Sequence, residues 1–211
     1  MMRRLIALLI MALAALALAG PAGAGAPERS WVKGPFAAGV LTDFREDAPP
    51  GTVFTDIDVF GVDEVTRENG TKTADQTVFV NIFRYTADAG GDVVAIYEGS
   101  FPAAVTVDKK FATASVTATG VQLTCDDDSP APCVPPAPFD LEAQFTAIGP
   151  PTKDVLNFHF VTEGSRFVFH SAQRGRPATV EVSIDGVPFA GTVLDGFIGD
   201  AHSGEICRRP C

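Results

Sequence analysis

The stretch 155-VLNFHFVTEGSRFVFH-170 alternates apolar and polar residues on both sides of Glu163-Gly164. Period-two alternation marks a half-buried strand, and two such runs joined by a short glycine-containing link make an antiparallel hairpin. With Glu163-Gly164 as a two-residue loop, Thr162 stands opposite Ser165, Phe160 opposite Phe167 and Phe158 opposite Phe169. Four phenylalanines then share one face. Asn157, His159, Val161, Arg166, Val168 and His170 share the other. A slip of one residue would set His159 against Phe169 and His170 against Phe158, so segregation selects the first register. The pairing predicts that the four rings face a core while the histidines face away.

The same period recurs outward from the hairpin. Val53, Ile57 and Val59 alternate with Phe54, Asp56 and Asp58, and Thr77–Tyr85 is apolar on both faces. A turn at 87–92 leads into Val93–Glu98. The Thr- and Val-rich run Phe111–Leu123 favours a pleated strand, because β-branched side chains are restricted in a helix. Phe139, Leu141, Ala143, Phe145 and Ala147 alternate with Asp140, Glu142, Gln144 and Thr146. Thr179–Ile184 follows, with Val180, Val182 and Ile184 inward, and Asp185-Gly186 is a hairpin turn into Val187–Thr192. Between Ser129 and Pro138 stand five prolines, which cannot donate to a ladder and place this segment outside any sheet. No amphipathic helix and no fixed repeat interrupts the pattern. The expected fold is an all-β antiparallel β-sandwich, with a closed or partly closed β-barrel as the alternative.

The N-terminus reads differently. Arg3 and Arg4 precede fifteen unbroken apolar residues, Leu5–Ala19, and Ala22-Gly23-Ala24 supplies a small-x-small cleavage pattern. The run is short for a transmembrane span, which needs about 20 residues. The expected organisation is a signal peptide at 1–24 and a linker at 25–37. A β domain follows at 38–192, and a disulfide-pinned tail at 193–211. That organisation implies secretion, extracellular or periplasmic, with no stable membrane anchor after cleavage. The four cysteines Cys125, Cys133, Cys207 and Cys211 fit an oxidising compartment, and their spacing favours the two local bridges Cys125–Cys133 and Cys207–Cys211.

The chain is acidic, with a net charge of −10, and removal of Arg3 and Arg4 deepens the excess. Nucleic-acid phosphates and anionic membranes are therefore repelled by the average surface. Sixteen phenylalanines against one tryptophan and two tyrosines suggest rings used for packing.

Candidate chemistry is sparse. His159 and His170 lie diagonally on one face of the hairpin, with Asn157 opposite His170. Two imidazoles can begin a metal site, though a stable one wants three or four ligands. Asp140 or Glu142 would have to complete it. Asp56 and Asp58 share a strand face, as paired carboxylates of a glycosidase do. Asp126-Asp127-Asp128 lies within the Cys125–Cys133 loop but lacks the every-second-residue spacing of a calcium loop. Asn69-Gly70-Thr71 is a glycosylation sequon in a eukaryotic secretory route, or simply a turn. There is no G-x-S-x-G elbow. His202 beside Ser203 is the one remaining histidine, and the cysteines leave no thiolate nucleophile. No cofactor is implied. The reading is an exported, non-catalytic β domain that binds an unknown protein, glycan or small ligand as a surface or envelope module. Its alternatives are a barrel carrying an apolar ligand and a hydrolase or metal-dependent enzyme using His159 and His170.

Overall fold

The computed structural model describes residues 28–68, 70–86, 92–130, 132–162 and 165–208. Twelve strands run β1 Glu28–Thr42, β2 Val53–Glu68, β3 Thr71–Thr86, β4 Val93–Pro102, β5 Ala104–Val107 and β6 Thr113–Val121. They continue with β7 Thr124–Cys125, β8 Phe139–Ala147, β9 Thr152–Thr162, β10 Ser165–Ile184, β11 Val187–Pro188 and β12 Thr192–Arg208. All pairings are antiparallel.

The twelve strands form one hydrogen-bonded network, and the strand that folds it over is β10. Its first part, Ser165–Pro177, lies between β9 and β12. Its second part, Ala178–Ile184, pairs with β8 instead. The network thus becomes two facing layers. The long layer is β9-β10-β12-β1-β2-β3-β4-β7, and the short layer is β5-β6-β8 with the end of β10. The sheet is open and does not close into a barrel. Ala37, Leu41, Ile57, Val59, Val78, Val80 and Ile198 from the long layer pack against Val105, Val116, Leu141, Phe145, Val180 and Val182 from the short one. At Gly61 the layers approach so closely that an added Cβ would run into the Val116 side chain, so only glycine fits there.

The register expected for the Glu163-Gly164 hairpin is present. Thr162 pairs with Ser165, Phe160 with Phe167, Phe158 with Phe169 and Asn157 with His170. The turn itself and the four rings lie outside the described residues. Strand β8 shows the expected alternation without a fault, with Phe139, Leu141, Ala143 and Phe145 buried and their neighbours exposed. Asp185 and Gly186 form the turn with φ of 52° and 73°, as a primed hairpin turn requires. The expected strand Val187–Thr192 shrinks to Val187–Pro188, because the proline cannot donate and the chain leaves the ladder.

Two larger corrections concern the ends. Of residues 25–37, expected as a linker, 28–37 contribute most of β1, and of residues 193–211, expected as a tail, 193–208 form all but the first residue of β12. Together they are the centre of the long layer, paired from Glu28↔Cys207 to Thr42↔Thr192. Their glycines made them look like loops. In a central strand, absent side chains let neighbouring backbones and side chains close in. The expected signal segment lies outside the described residues, as does a bridge between Cys207 and Cys211. The Cys125–Cys133 disulfide is formed, with the two Cα atoms 6.1 Å apart. It suits an oxidising setting. No helix among the described residues is long and apolar enough to cross a membrane.

Candidate functional site

The long layer outruns the short one. Beyond Ala37 on β1 and Gly61 on β2 no residue of these two strands belongs to the buried cluster between the layers, among the described residues, and the inner face continues as a ledge. The step is formed by the β5–β6 turn. There Asp108 accepts hydrogen bonds from the Lys110 and Ala112 amides through Oδ2 at 3.0 and 3.2 Å. Those bonds hold the Asp108 carboxyl below its ordinary range. They also hold Phe111 at a φ of 55°, an uncommon conformation for a bulky residue. The Phe111 ring meets the Arg174 guanidinium of the ledge at 5.6 Å. Arg174 is fixed from its other side by a two-pronged pair with Asp200, Nε to Oδ1 and Nη2 to Oδ2, each 2.7 Å. A shallow cavity of about 480 Å³ opens at this step, with Lys33, Asp63, Lys153, Arg174, Asp200 and His202 in its lining.

Antiparallel register sets what else stands on the ledge, since directly opposed residues point to the same side. One row crosses six strands: Lys72 on β3, Arg67 on β2, Trp31 on β1, Gly204 on β12, His170 on β10 and Asn157 on β9. The next row inward carries Val65, Lys33, His202 and Ala172. Lys33 Nζ lies 5.4 Å from the Trp31 ring and Arg67 Cζ 5.9 Å. Gly204 puts no side chain between Trp31 and His170, and His202 leans over the gap. Its ring is edge-on to Trp31 at 6.2 Å and to His170 at 6.3 Å. The His170 Nδ1 and the Asn157 Oδ1 are 2.5 Å apart, in a hydrogen bond.

Charge is segregated between the two faces of the long layer. On the ledge face, among the described residues, Lys33, Arg67, Lys72, Lys153 and Arg174 stand with His170 and His202 against the carboxylates of Asp63 and Asp200. Asp200 is already engaged by Arg174. The opposite face carries Asp56, Asp58, Glu64, Asp75, Glu98 and Asp195. Crowding there is felt by the groups themselves. Desolvation, with Asp56 repulsion added, pushes Asp58 up to about 6. Desolvation, with Asp75 added, raises Glu64.

Of the residues singled out from the sequence, His170, expected to face away from the core, stands on the core-lining face of the long layer and is exposed because that face runs on past the short layer as the ledge. His159 is placed by backbone register opposite Val168, its side chain outside the described residues. Among the described residues no three His, Cys, Asp or Glu side chains gather where they could hold a metal ion. Asp140 caps the Gly120 amide at 2.9 Å, and Glu142 bonds Gln144, both on strand β8. Asp56 accepts from the Tyr85 hydroxyl at 3.3 Å on the back of the long layer. Asp126 turns its carboxylate onto the Asp128 amide at 2.8 Å, a local turn. Asn69 is outside the described residues, and Gly70 joins β2 to β3 with a φ of 90°. Sequence reading missed Trp31, Lys33, Arg67, Lys72, Lys153 and Arg174. Arg67 and Lys72 were reachable, because the Asn69-Gly70 turn sets them opposite each other. Trp31 and Lys33 were not, since β1 finds its partners far along the chain. Compared with known families, curated proteins and solved structures, the chain matches none.

Proposed function

We propose that the protein is an exported, non-catalytic β domain that works as a binding module, with the ledge as its contact surface and an anionic group as what it contacts. The observation that carries this is the segregation of charge. A chain of net charge −10 concentrates lysine, arginine and histidine with its single tryptophan on one exposed sheet face. Complementary potentials steer encounter and set orientation, and here they would present the ledge to an anion while the rest of the surface turns away. The Cys125–Cys133 bridge supports export. The apolar-carrier alternative loses its footing, because the sheet is open and the space between the layers is filled by side chains.

The test is retention on a sulfonate cation-exchange matrix at pH 7 and low salt. With a sequence pI of about 4.6, a protein of evenly mixed charge flows through. Retention that is lost in Arg67→Glu/Lys72→Glu supports the ledge. Flow-through of the unmodified protein removes the proposal.

A further inference from the structure

Resting on that reading, we infer that the ledge takes a segment of an acidic polysaccharide, a chain of sugars bearing carboxylate or sulfate groups. The first argument is shape. The row from Lys72 to Asn157 crosses five strand spacings of about 4.8 Å, so it is a track of roughly 24 Å, flanked on its inner side by Lys33 and His202. A single extended chain fits a track. A duplex or a bilayer needs a broad basic field, and the carboxylates on the back of the same sheet oppose one.

Chemistry along the track gives the second argument. Trp31 is half-buried in the row and offers an aromatic surface, the kind against which the C–H face of a sugar ring packs. Lys33 and Arg67 stand within 5.4 and 5.9 Å of that ring, where they can meet acidic substituents of the sugar seated on it or of its neighbours. Arginine offers a planar fork to a carboxylate or sulfate, while lysine acts as a point charge. Gly204 leaves a shallow dip beside Trp31, with His202 at its inner side. At its far ends the track offers Lys72 and the His170–Asn157 pair, which supply a further charge and hydrogen-bonding groups for hydroxyls. Cations alternate with a ring platform and polar groups, as a sugar chain alternates charged substituents with C–H faces and hydroxyls.

The sole tryptophan makes the experiment direct, since its emission reports this site alone. Oligogalacturonate is titrated into the purified protein at low salt, and its methyl-esterified form, which keeps the sugars and removes the charge, is titrated in parallel. The acidic form is expected to change Trp31 emission saturably and the ester not to. Arg67→Gln/Lys72→Gln should weaken binding by roughly tenfold or more, since a lost charge-assisted contact is worth about a decade of affinity. Arg45→Gln, in the β1–β2 connection at the opposite end of the sheet, should leave it unchanged. Melting curves of the variants confirm that they fold.

A heparin-type sulfated oligosaccharide, a single-stranded oligonucleotide and anionic vesicles complete the series. Binding of either acidic glycan with the stated variant sensitivity supports the inference. Equal binding of ester and acid overturns it. Preferential binding of the oligonucleotide or the vesicles, still sensitive to Arg67 and Lys72, overturns the glycan assignment and leaves the binding-module reading in place. No response to any of these anions, together with flow-through on the sulfonate matrix, removes both.

Discussion

Asp58 shows how much a carboxylate's behaviour depends on strands that are not its own. It stands on the back of the long layer in a row with Asp195, Val40, Asn81 and Glu98. Desolvation by that packed surface raises its carboxyl to about 6, and the Asp56 carboxylate adds to the rise. The sign for stability follows from proton linkage. Between the usual aspartate range and about 6, the folded state holds a proton that the unfolded state has released. Stability from this group is therefore fully present below about 4 and lost as pH rises through about 6. Solvent reaches the side chain, so screening keeps the effect small. A carbon-detected NMR titration should give an Asp58 midpoint near 6, and Asp56→Asn should lower it without restoring the ordinary value. A midpoint at the usual aspartate position would show that the surface does not crowd Asp58. That Asp56 and Asp58 share a face was legible from their spacing. The crowding was not, because Asp195, Asn81 and Glu98 come from strands distant in sequence. His170 makes the same point on the ledge. Its Asn157 partner followed from the hairpin register, but His202 reaches it through the β10–β12 pairing, and Trp31 joins His202 only through the pairing of the two chain ends.

Among the elements, β5 is the shortest of the strands that line the core, and among the described residues its outer side has no strand beside it. Gln76 of β3 supplies a substitute. Its side-chain amide accepts from the Val105 amide at 3.3 Å and donates to the Val105 carbonyl at 3.2 Å. The Gln76 main-chain carbonyl accepts from Ala103 at 3.1 Å. One side chain thus acts as a strand would, at the corner where the two layers nearly meet. Gln76→Leu strips both partners from a residue only 4% exposed and should cost about 1 to 3 kcal/mol. Hydrogen exchange at the Val105 amide should accelerate markedly while the Val80 and Phe145 amides stay slow. Unchanged exchange at Val105 would show that the contact does not hold the strand. The sequence revealed elements where burial falls on one face, as in β8, or where a turn pair announces itself, as at Asp185-Gly186. It concealed β1 and β12, whose strand character comes from being surrounded and not from their own residues. Gly39, Gly61 and Gly196 carry little strand propensity, yet they stand where the core admits no side chain.

At the scale of the whole molecule, the disulfide and the Pro-rich segment close one end of the long layer. The Asp126 amide donates to the Ile96 carbonyl at 3.0 Å, and the Ile96 amide donates to Ser129 Oγ at 3.1 Å. The cross-linked loop therefore continues the edge of β4 beyond the two residues of β7. Opening Cys125–Cys133 restores the denatured-state freedom of a short loop, about 2.5 kcal/mol. The core lies elsewhere, between Val116, Leu141 and Phe145 on one side and Ile57, Val59 and Val80 on the other. Cys125→Ala/Cys133→Ala should thus melt at a lower temperature in one cooperative step, with an unchanged β-type far-ultraviolet spectrum. Loss of that spectrum at room temperature would mean that the bridge holds the sheet itself. With this side closed by the loop, β5 matched by Gln76, and β11 only two residues long and ending in proline, β9 remains as the long edge that bonds to a strand on one side only among the described residues. A body with one sticky rim can be mated once and is then used up. Two molecules joined rim to rim would each have used that edge, so association through β9 ends at a pair and does not extend along the sheet.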